Sequence, residues 1–308
     1  MKTKAFRVAG QRFSVAAPEC FEIEALLPSF PAFREDKLDA GPEDLFRLTL
    51  RPETLGIPGD AKIVEEDEND MGRTRLGLTE DGKYCLELTY HKESAEAARG
   101  GTNLRDTGIF IADRSFSEIT AFVDPAAPDC GLILSSMLRI AFAQAVILRD
   151  GISIHASAVV ADGRAFLFLG RSGTGKSTHA RMWLRNIPGS HLLNDDNPAV
   201  RIVDGQVIAS GTPWSGKTPC YRNESYLVGG IARLVQSDAD IFTEQDEFEA
   251  FVSLLPSCSA VHCDAALQSG LYDTVARIVE LVPVGRLECL PDDESALVCY
   301  NNLKSLIK

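Results

Sequence analysis

Residues 170–178 read Gly-Arg-Ser-Gly-Thr-Gly-Lys-Ser-Thr, a pattern suited to binding the phosphates of a nucleotide. Gly170, Gly175, Lys176 and Ser177 occupy the fixed positions of the G-x-x-x-x-G-K-[ST] motif. Glycines let the backbone turn with its N–H groups pointing inward, and the lysine ammonium adds a charge for the outer phosphates. The serine hydroxyl suits a divalent cation, and the helix expected to begin there directs its positive end at the same anion.

The elements that must position this loop are a strand before it and a helix after it. Residues 165–169 form a continuous apolar run of strand length, and apolar residues then recur at helical spacing from Ala180 to Ile187 until Pro188-Gly189 ends the pattern. We therefore predict a nucleotide site; a glycine-rich turn that binds nothing, or a relic loop in an inactive protein, is the alternative. The nucleotide-binding residues predicted in the loop are Gly170, Ser172, Gly173, Thr174, Gly175, Lys176, Ser177 and Thr178.

Two adjacent carboxylates, Asp195 and Asp196, follow a short apolar run and are therefore expected at a strand end. Phosphoryl transfer needs a metal on the phosphates and often a carboxylate that orients or deprotonates the attacking hydroxyl. The pair could divide these roles. Alternatively, both residues simply begin a polar turn before Pro198.

His155 lies fifteen residues before Gly170, on a strand predicted over 152–160 that would pair with the strand feeding the loop. It could point into the same site, although a lone histidine more often packs structurally. A turn-forming segment at 211–217 then carries Trp214 and Lys217, and Arg222 follows. These three could cover a nucleotide, stack on its base or steady transferred charge; a tight connection with a buried tryptophan is the other interpretation.

The composition of the whole chain limits its partners. The formal net charge of −13 argues against nucleic acid and anionic membranes. The longest apolar stretch, 132–148, contains Arg139 and Gln144 and is predicted to be a buried helix rather than a membrane span. With no export signal visible at the N-terminus and no C-x-x-C pair among eight cysteines, we expect a cytoplasmic protein. The sequence leaves a homo-oligomer open.

The hydropathy pattern divides the chain into two domains. Residues 1–128 show hairpin signals, such as Asp81-Gly82 between two alternating runs, and predict a β-rich N-terminal domain. The acidic run at 65–70 within it is expected to be a solvated loop. Residues 129–308 combine the phosphate loop with further hairpins, including one across Asp204-Gly205, which favours an α/β domain with a mixed sheet.

His155-Ala156-Ser157-Ala158, the loop at 170–177 and Asp195-Asp196 together resemble the HPr kinase/phosphorylase and phosphoenolpyruvate carboxykinase superfamily. The resemblance covers roughly residues 152–230 and implies a mixed-sheet nucleotide-binding fold. It implies that Lys176 contacts the β/γ-phosphates, that Ser177 and Asp196 hold the metal, and that Asp195 acts as base, with the two aspartates interchangeable in this assignment. His155 would line the site near the metal or phosphate. Because the Glu-x-Arg-Gly-x-Gly-type segment of HPr kinases is missing, the chain is most similar to HPr kinase-related proteins of unassigned substrate.

These observations predict an ATP-binding kinase, dependent on Mg²⁺ or Mn²⁺, that phosphorylates a hydroxyl. The acceptor would be a serine in a protein or peptide, or a small molecule. One alternative is a non-catalytic, nucleotide-gated module whose N-terminal domain binds a peptide. Another is an activity like that of phosphoenolpyruvate carboxykinase.

Overall fold

The computed structural model describes residues 1–36, 44–69, 72–90, 106–216 and 218–307. Contacts divide the chain into a first unit, Met1–Arg7 with Gln11–Ala145, and a second unit, Val8–Gly10 with Val146–Lys308. The division after Ala145 leaves most of the long apolar helix with the first unit, whereas the boundary predicted from the sequence precedes that helix.

The first unit is built mainly from strands. Its strands are β1 (Lys2–Val8), β2 (Gln11–Ala17), β3 (Arg34–Glu35), β4 (Phe46–Arg51), β5 (Lys62–Asn69), β6 (Gly72–Leu78), β7 (Tyr84–Tyr90), β8 (Asp106–Ala112) and β9 (Glu118–Val123), and its helices are α1 (Ile23–Leu26) and α2 (Cys130–Ile147). In the described ranges these strands form one sheet in the order β3-β1-β2-β4-β9-β8-β7-β6-β5. The β6–β7 hairpin across Asp81-Gly82 is confirmed. Strands β2 and β4, and strands β4 and β9, pair in parallel, so this sheet is mixed. The hairpin signals in the sequence did not predict these parallel pairs.

The prediction that the acidic run at 65–70 forms a loop is wrong for the part of the run that the structure describes. Residues 65–69 belong to β5, the last strand in the sheet order, which pairs with β6. Arg73 on β6 forms an ion pair with Glu66 across the two strands. A row of charges on an edge strand discourages pairing with another chain, which gives the acids a structural role.

Helix α2 is long and apolar enough to cross a membrane by length and composition, and 67% of its 18-residue window is buried within the protein. Phe142 on this helix lies 6.4 Å from Phe13 of β2, ring centre to ring centre. Ile133 and Met137 lie so close to Gly108 of β8 that a Cβ there would overlap them. The helix therefore packs on the sheet of the first unit, and a core helix passes the same test of length and composition as a membrane span.

The second unit carries the phosphate loop. Its strands are β10 (Gly151–Ser153), β11 (Ala156–Ala161), β12 (Arg164–Leu169), β13 (His191–Asn194), β14 (Ala199–Val203), β15 (Gln206–Ser210), β16 (Ser225–Gln236), β17 (Ile241–Glu244) and β18 (Val284–Cys289), and its helices are α3 (Lys176–Asn186), α4 (Glu247–Leu254), α5 (Ala265–Leu281) and α6 (Asp293–Leu306). The strand order is β10-β14-β15-β16-β12-β11-β13, with β18 beside β16 and β17 beside β18.

This second sheet is mixed, as the hairpin signals predicted. Strand β12 runs parallel to β16 and antiparallel to β11, and the β14–β15 hairpin turns at Asp204-Gly205. The strand predicted over 152–160 is two strands, because the chain leaves β10 after Ser153 and enters β11 at Ala156. His155 therefore lies in the break between two strands and not within one.

The core of the second unit fixes the helix that follows the phosphate loop. Trp183 of α3 is fully buried, with its ring centre 5.0 Å from those of Phe166 and Phe168 on β12. Tyr300 of α6 packs edge-on against the same tryptophan at 5.5 Å. Burial of each large apolar side chain contributes roughly 1.5–3 kcal/mol. Strand β12 and helix α3 are thus locked together, and the loop between them is held at both ends.

Candidate functional site

The predicted site residues meet at one edge of the second sheet because of the direction in which its strands run. Strand β12 ends at Leu169 and leads into the phosphate loop. Strand β11 is antiparallel to both β12 and β13, so its start at Ala156 lies at the edge where those two strands end. His155, the loop and Asp195-Asp196 therefore converge, although up to forty residues separate them in the sequence.

The phosphate loop depends on glycine for its backbone conformation. Gly173 and Gly175 have φ values of +80° and +109°, in the left-handed region that other residues rarely adopt, and Gly170 lies at +156°. Beyond the glycine itself, its immediate chain neighbours and the adjoining helix backbone, no described heavy atom lies within 4 Å of the position that a Cβ would take at Gly173 or Gly175. Gly175 also caps the N-terminus of α3, whose first residue is Lys176. The loop thus leaves open space beside a helix N-terminus.

The remaining loop residues lie around this space with different exposure. Ser172 is exposed, whereas Thr174, Ser177 and Thr178 are half-buried. The Thr178 hydroxyl accepts a hydrogen bond of 3.2 Å from Arg181, one turn further along α3. Ser177, in the first turn of the helix, is the hydroxyl that the motif assigns to a metal.

Lys176 is buried and folded back onto its own loop. Its Nζ donates to the carbonyl oxygens of Gly170 at 3.0 Å and Arg171 at 3.3 Å. Burial lowers the pKa of Lys176, and the nearby charges of Asp196 and Asp195 oppose that shift. The ammonium therefore lies on the loop and within electrostatic reach of the aspartate pair.

The two aspartates have different surroundings. Asp195 is 5% exposed, and its Oδ1 accepts a 2.7 Å hydrogen bond from the Ser157 hydroxyl. Its Oδ2 is buried without a hydrogen-bond partner among the described residues. Asp196 is half-exposed; its Oδ2 accepts from Asn197 Nδ2 at 2.5 Å, and its Oδ1 lies 3.4 Å from His155 Nε2. One carboxylate is thus enclosed and partly unsatisfied, while the other faces the histidine.

Asn194 holds the turn that presents both aspartates. Its Oδ1 accepts from the backbone N–H groups of Asp196 and Asn197, each at 2.9 Å. Its Nδ2 donates to the carbonyl oxygens of Thr212 at 3.3 Å and Trp214 at 3.2 Å. Because Asn194 is fully buried, this network ties the aspartate turn to the segment at 211–216.

The predicted residues downstream of the aspartates have no described contact with the phosphate loop. Trp214 is buried at 6% exposure, which matches a tryptophan packed within a tight connection. Arg222 forms an ion pair of 3.2 Å with Glu224, and no described contact joins it to the phosphate loop. Lys217 lies outside the described residues.

Ser157 and Gln236 reach the site without having been assigned a role from the sequence. Ser157 stands two residues after His155 and contacts Asp195 only because β11 lies beside β13. Gln236 ends β16, and its Nε2 lies 3.5 Å and 3.4 Å from the carbonyl oxygens of Gly173 and Thr174. No local signal marks Gln236, since the parallel pairing of β12 with β16 alone brings it to the loop.

Within the part of the chain that the structure describes, no group of three or more His, Cys, Asp or Glu side chains could hold a metal ion by itself. A divalent ion at this edge would therefore take some of its oxygen ligands from outside the protein, as Mg²⁺ commonly does.

No family model and no curated protein matches the chain. Among solved structures, the HPr(Ser) kinase/phosphatase from Coxiella burnetii is similar over 50% of this chain and 97% of its own, with 15% sequence identity and a TM-score of 0.29. This is at most a distant fold relationship. It carries no conclusion about activity, so the roles considered below rest on the residues of this chain.

Proposed function

We propose that this chain is a kinase that uses ATP with Mg²⁺ or Mn²⁺ to phosphorylate a hydroxyl group. The observation that carries the proposal is the buried carboxylate of Asp195, whose Oδ1 is held by Ser157 while Oδ2 has no partner in the described chain. An unsatisfied buried carboxylate oxygen is costly, and the hydroxyl of an acceptor would satisfy it. This oxygen lies at the sheet edge where the phosphate loop begins.

The loop fits the phosphates of a nucleotide. The open space beside Gly173 and Gly175 allows phosphate oxygens to approach the backbone without meeting a side chain. Lys176 would exchange its bonds to two loop carbonyls for the β/γ-phosphates, since its long side chain already lies within the loop. The N-terminus of α3 adds its dipole to the same attraction.

The aspartates and Ser177 fit a divalent cation beside those phosphates. Ser177 and the half-exposed Asp196 would hold the ion, and His155, 3.4 Å from Asp196 Oδ1, would keep that carboxylate oriented. When bound, Mg²⁺ or Mn²⁺ neutralises the charge that develops on the transferred phosphoryl group. The two aspartates would in this way have separate tasks.

Asp195 would act on the acceptor rather than on the nucleotide. Its Oδ2 would accept the proton of the attacking hydroxyl while Ser157 keeps Oδ1 engaged, so the carboxylate is oriented before the acceptor arrives. The acceptor classes remain a serine in a protein or peptide, or a small molecule. The net charge of −13 argues against nucleic acid as the acceptor.

Three variants incubated with γ-labelled ATP and Mg²⁺ or Mn²⁺ would test this division of roles. The acceptors supplied would be free serine, a peptide panel and cell extract. We expect Asp195→Asn to lower kcat by about 10²–10⁴ and to leave ATP affinity unchanged. Lys176→Ala should weaken ATP binding at least about tenfold. Asp204→Asn, the same chemical change at an exposed turn, is the control and should change neither quantity.

Three results would contradict the proposal. Equal loss of ATP binding in Asp195→Asn and Lys176→Ala would remove the separate role of Asp195. Tight ATP binding by the unmodified chain, with neither transfer nor hydrolysis under any condition, would favour the nucleotide-gated module. Consumption of ATP that requires added oxaloacetate would instead indicate an activity like that of a carboxykinase.

A further inference from the structure

A cleft of about 640 Å³ opens at the edge of the second sheet opposite the phosphate loop. Arg164, Val228 and Val284 line it at the starts of the parallel strands β12, β16 and β18. The beginning of α4, the end of α5 and the end of α6 form its other sides. Because β12 extends over six residues from the cleft to the phosphate loop, roughly 20 Å separate the two sites.

The cleft is strongly acidic. Glu244, Asp246, Glu247 and Glu280 line it, and among the residues that the structure describes Arg164 is the one basic residue that does so. Asp246 also caps α4 by accepting from the Glu249 backbone N–H, which leaves the other three acids without such a task. Clefts lined by charges of one sign concentrate ligands of the opposite sign.

Large apolar side chains border the same cleft without being covered. Phe248, in the first turn of α4, is 77% exposed, and Leu281, the last residue of α5, is 51% exposed. Val252 lies one turn after Phe248 on α4 and is 53% exposed. An exposed aromatic residue at the mouth of a cleft is typical of an interaction site.

Gln245, which lines the cleft, carries an acceptor without a hydrogen-bond partner in the described part of the chain. The Oε1 atom of Gln245 is buried and has no hydrogen-bond partner among the described residues. Its backbone N–H donates to the carbonyl oxygen of Val284 at 3.0 Å, which fixes the backbone of the residue in place. A backbone N–H, or the cation of a lysine or arginine, would complete this oxygen.

We propose that this cleft docks a peptide segment that combines lysine or arginine residues with a bulky apolar side chain. The basic groups would pair with Glu244, Glu247 and Glu280, and the apolar side chain would cover Phe248 and Leu281. A basic peptide fits better than an anionic membrane because the acids of the cleft repel anionic headgroups. The docking site is separate from the phosphate loop and does not depend on phosphoryl transfer.

The test measures fluorescence anisotropy of a labelled peptide of alternating lysine and leucine, added to the full chain without nucleotide. We expect saturable binding that weakens with added salt. A peptide with glutamate in place of lysine, and one with serine in place of leucine, should each bind at least about tenfold more weakly. Because no nucleotide is present, failure of this experiment leaves the kinase proposal unaffected.

Variants of the protein locate the peptide. Glu280→Lys should weaken binding about tenfold without harming its helix, because a cation is favourable in the last turn of α5. Asp273→Lys, the same helix and the same change in charge at an exposed position away from the cleft, should bind normally. Phe248→Ala should weaken binding about tenfold, whereas Val203→Ala, at the β14–β15 hairpin, should have no effect.

Two outcomes would overturn the proposal. Equal weakening by Glu280→Lys and Asp273→Lys would mean that the peptide responds to net charge and not to the cleft. If sedimentation shows a dimer of the unmodified chain that Phe248→Ala dissociates, the face is an interface between copies of this chain and not a peptide site.

Discussion

Asp195 and Asp196 are neighbours with the same side chain, but different groups surround their two carboxylates. Asp195 is enclosed and bonded to Ser157, whereas Asp196 is half-exposed and faces His155. Asn194 fixes the backbone between them, so the two carboxylates cannot exchange positions by a small rotation of the turn. This difference in burial is the physical basis for assigning proton transfer to Asp195 and metal binding to Asp196.

The Ser157–Asp195 hydrogen bond should contribute measurably to stability. Ser157→Ala leaves a buried carboxylate with both oxygens unpaired, so we expect the free energy of unfolding to fall by about 1.5–3 kcal/mol. Urea denaturation followed by tryptophan fluorescence measures this change. Ser157→Thr keeps the hydroxyl on β11 and serves as the control. A loss below about 0.5 kcal/mol in Ser157→Ala would show that the bond is not formed in solution.

His179 makes the stability of the second unit sensitive to acid. Burial lowers the pKa of His179 from 6.5 to about 4, and its Nε2 accepts a 3.0 Å hydrogen bond from Trp183. The unfolded chain therefore binds a proton at a pH where the folded chain does not. The stability from the neutral ring is fully present above pH 6.5 and is lost as the pH falls toward 4, by roughly 3 kcal/mol in all.

This pH dependence can be measured against a variant that lacks the imidazole. We expect the urea concentration at the unfolding midpoint of the unmodified chain to decrease as the pH is lowered from 6.5 to 4. The midpoints of His179→Gln should fall less over the same window, whatever that variant's stability at neutral pH. Parallel pH profiles for the two proteins would refute the assignment to His179.

At the scale of elements, the site is a loop held between β12 and α3 by the packing of Trp183 against Phe166 and Phe168. The rigid strand and helix fix the two ends of the loop, and its glycines allow the left-handed turns in between. Comparable left-handed glycines occur in the hairpin turns of the same unit, where they serve only chain reversal. The backbone conformation of a glycine therefore does not distinguish a binding loop from a simple turn. A measurement of nucleotide affinity does.

Gly173→Ala and Gly163→Ala form a matched pair for that comparison. Their φ values are +80° and +71°, and neither has a heavy atom within 4 Å of its Cβ position. Each substitution should therefore cost about 1–2 kcal/mol of stability through backbone strain. Gly173→Ala alone should weaken binding of a fluorescent ATP analogue, at least about tenfold. Similar affinities in the two variants would argue against phosphates in the space beside Gly173.

At the scale of the whole molecule, the two units can be observed separately. The chain contains two tryptophans, Trp183 and Trp214, and both belong to the second unit. Their fluorescence therefore reports the unfolding of the unit that carries the phosphate loop. Binding of a ligand to the second unit should therefore shift the unfolding transition measured by tryptophan fluorescence, even if the stability of the first unit is unchanged.

Nucleotide should stabilise the second unit by mass action. With MgATP at about a hundredfold excess over its Kd, we expect the tryptophan transition to gain about 2.7 kcal/mol. Lys176→Ala should abolish the gain at the same nucleotide concentration. MgAMP, which lacks the β- and γ-phosphates that Lys176 would bind, should give a much smaller shift. An equal shift with both nucleotides, or with Lys176→Ala, would contradict binding through the phosphate loop.

Features that are local along the chain can be predicted from the amino-acid sequence alone. The apolar run before Gly170 and the helical spacing after it are visible without a structure, and each corresponds to an observed element. The hairpins at Asp81-Gly82 and Asp204-Gly205 are equally local, because a two-residue turn and its flanking strands specify them. Helix α4 was missed although Asp246 and Glu249 form a capping box, since its eight residues are too few for a clear period.

Contacts between residues far apart in the sequence depend on how the strands pair in the folded chain. Ser157 reaches Asp195 because β11 lies beside β13, and Gln236 reaches the phosphate loop because β16 runs parallel to β12. The acidic cleft likewise exists only where strands β12, β16 and β18 and the ends of three helices come together. Pairing between strands far apart in the sequence depends on how the whole core packs, which no local pattern of residues encodes.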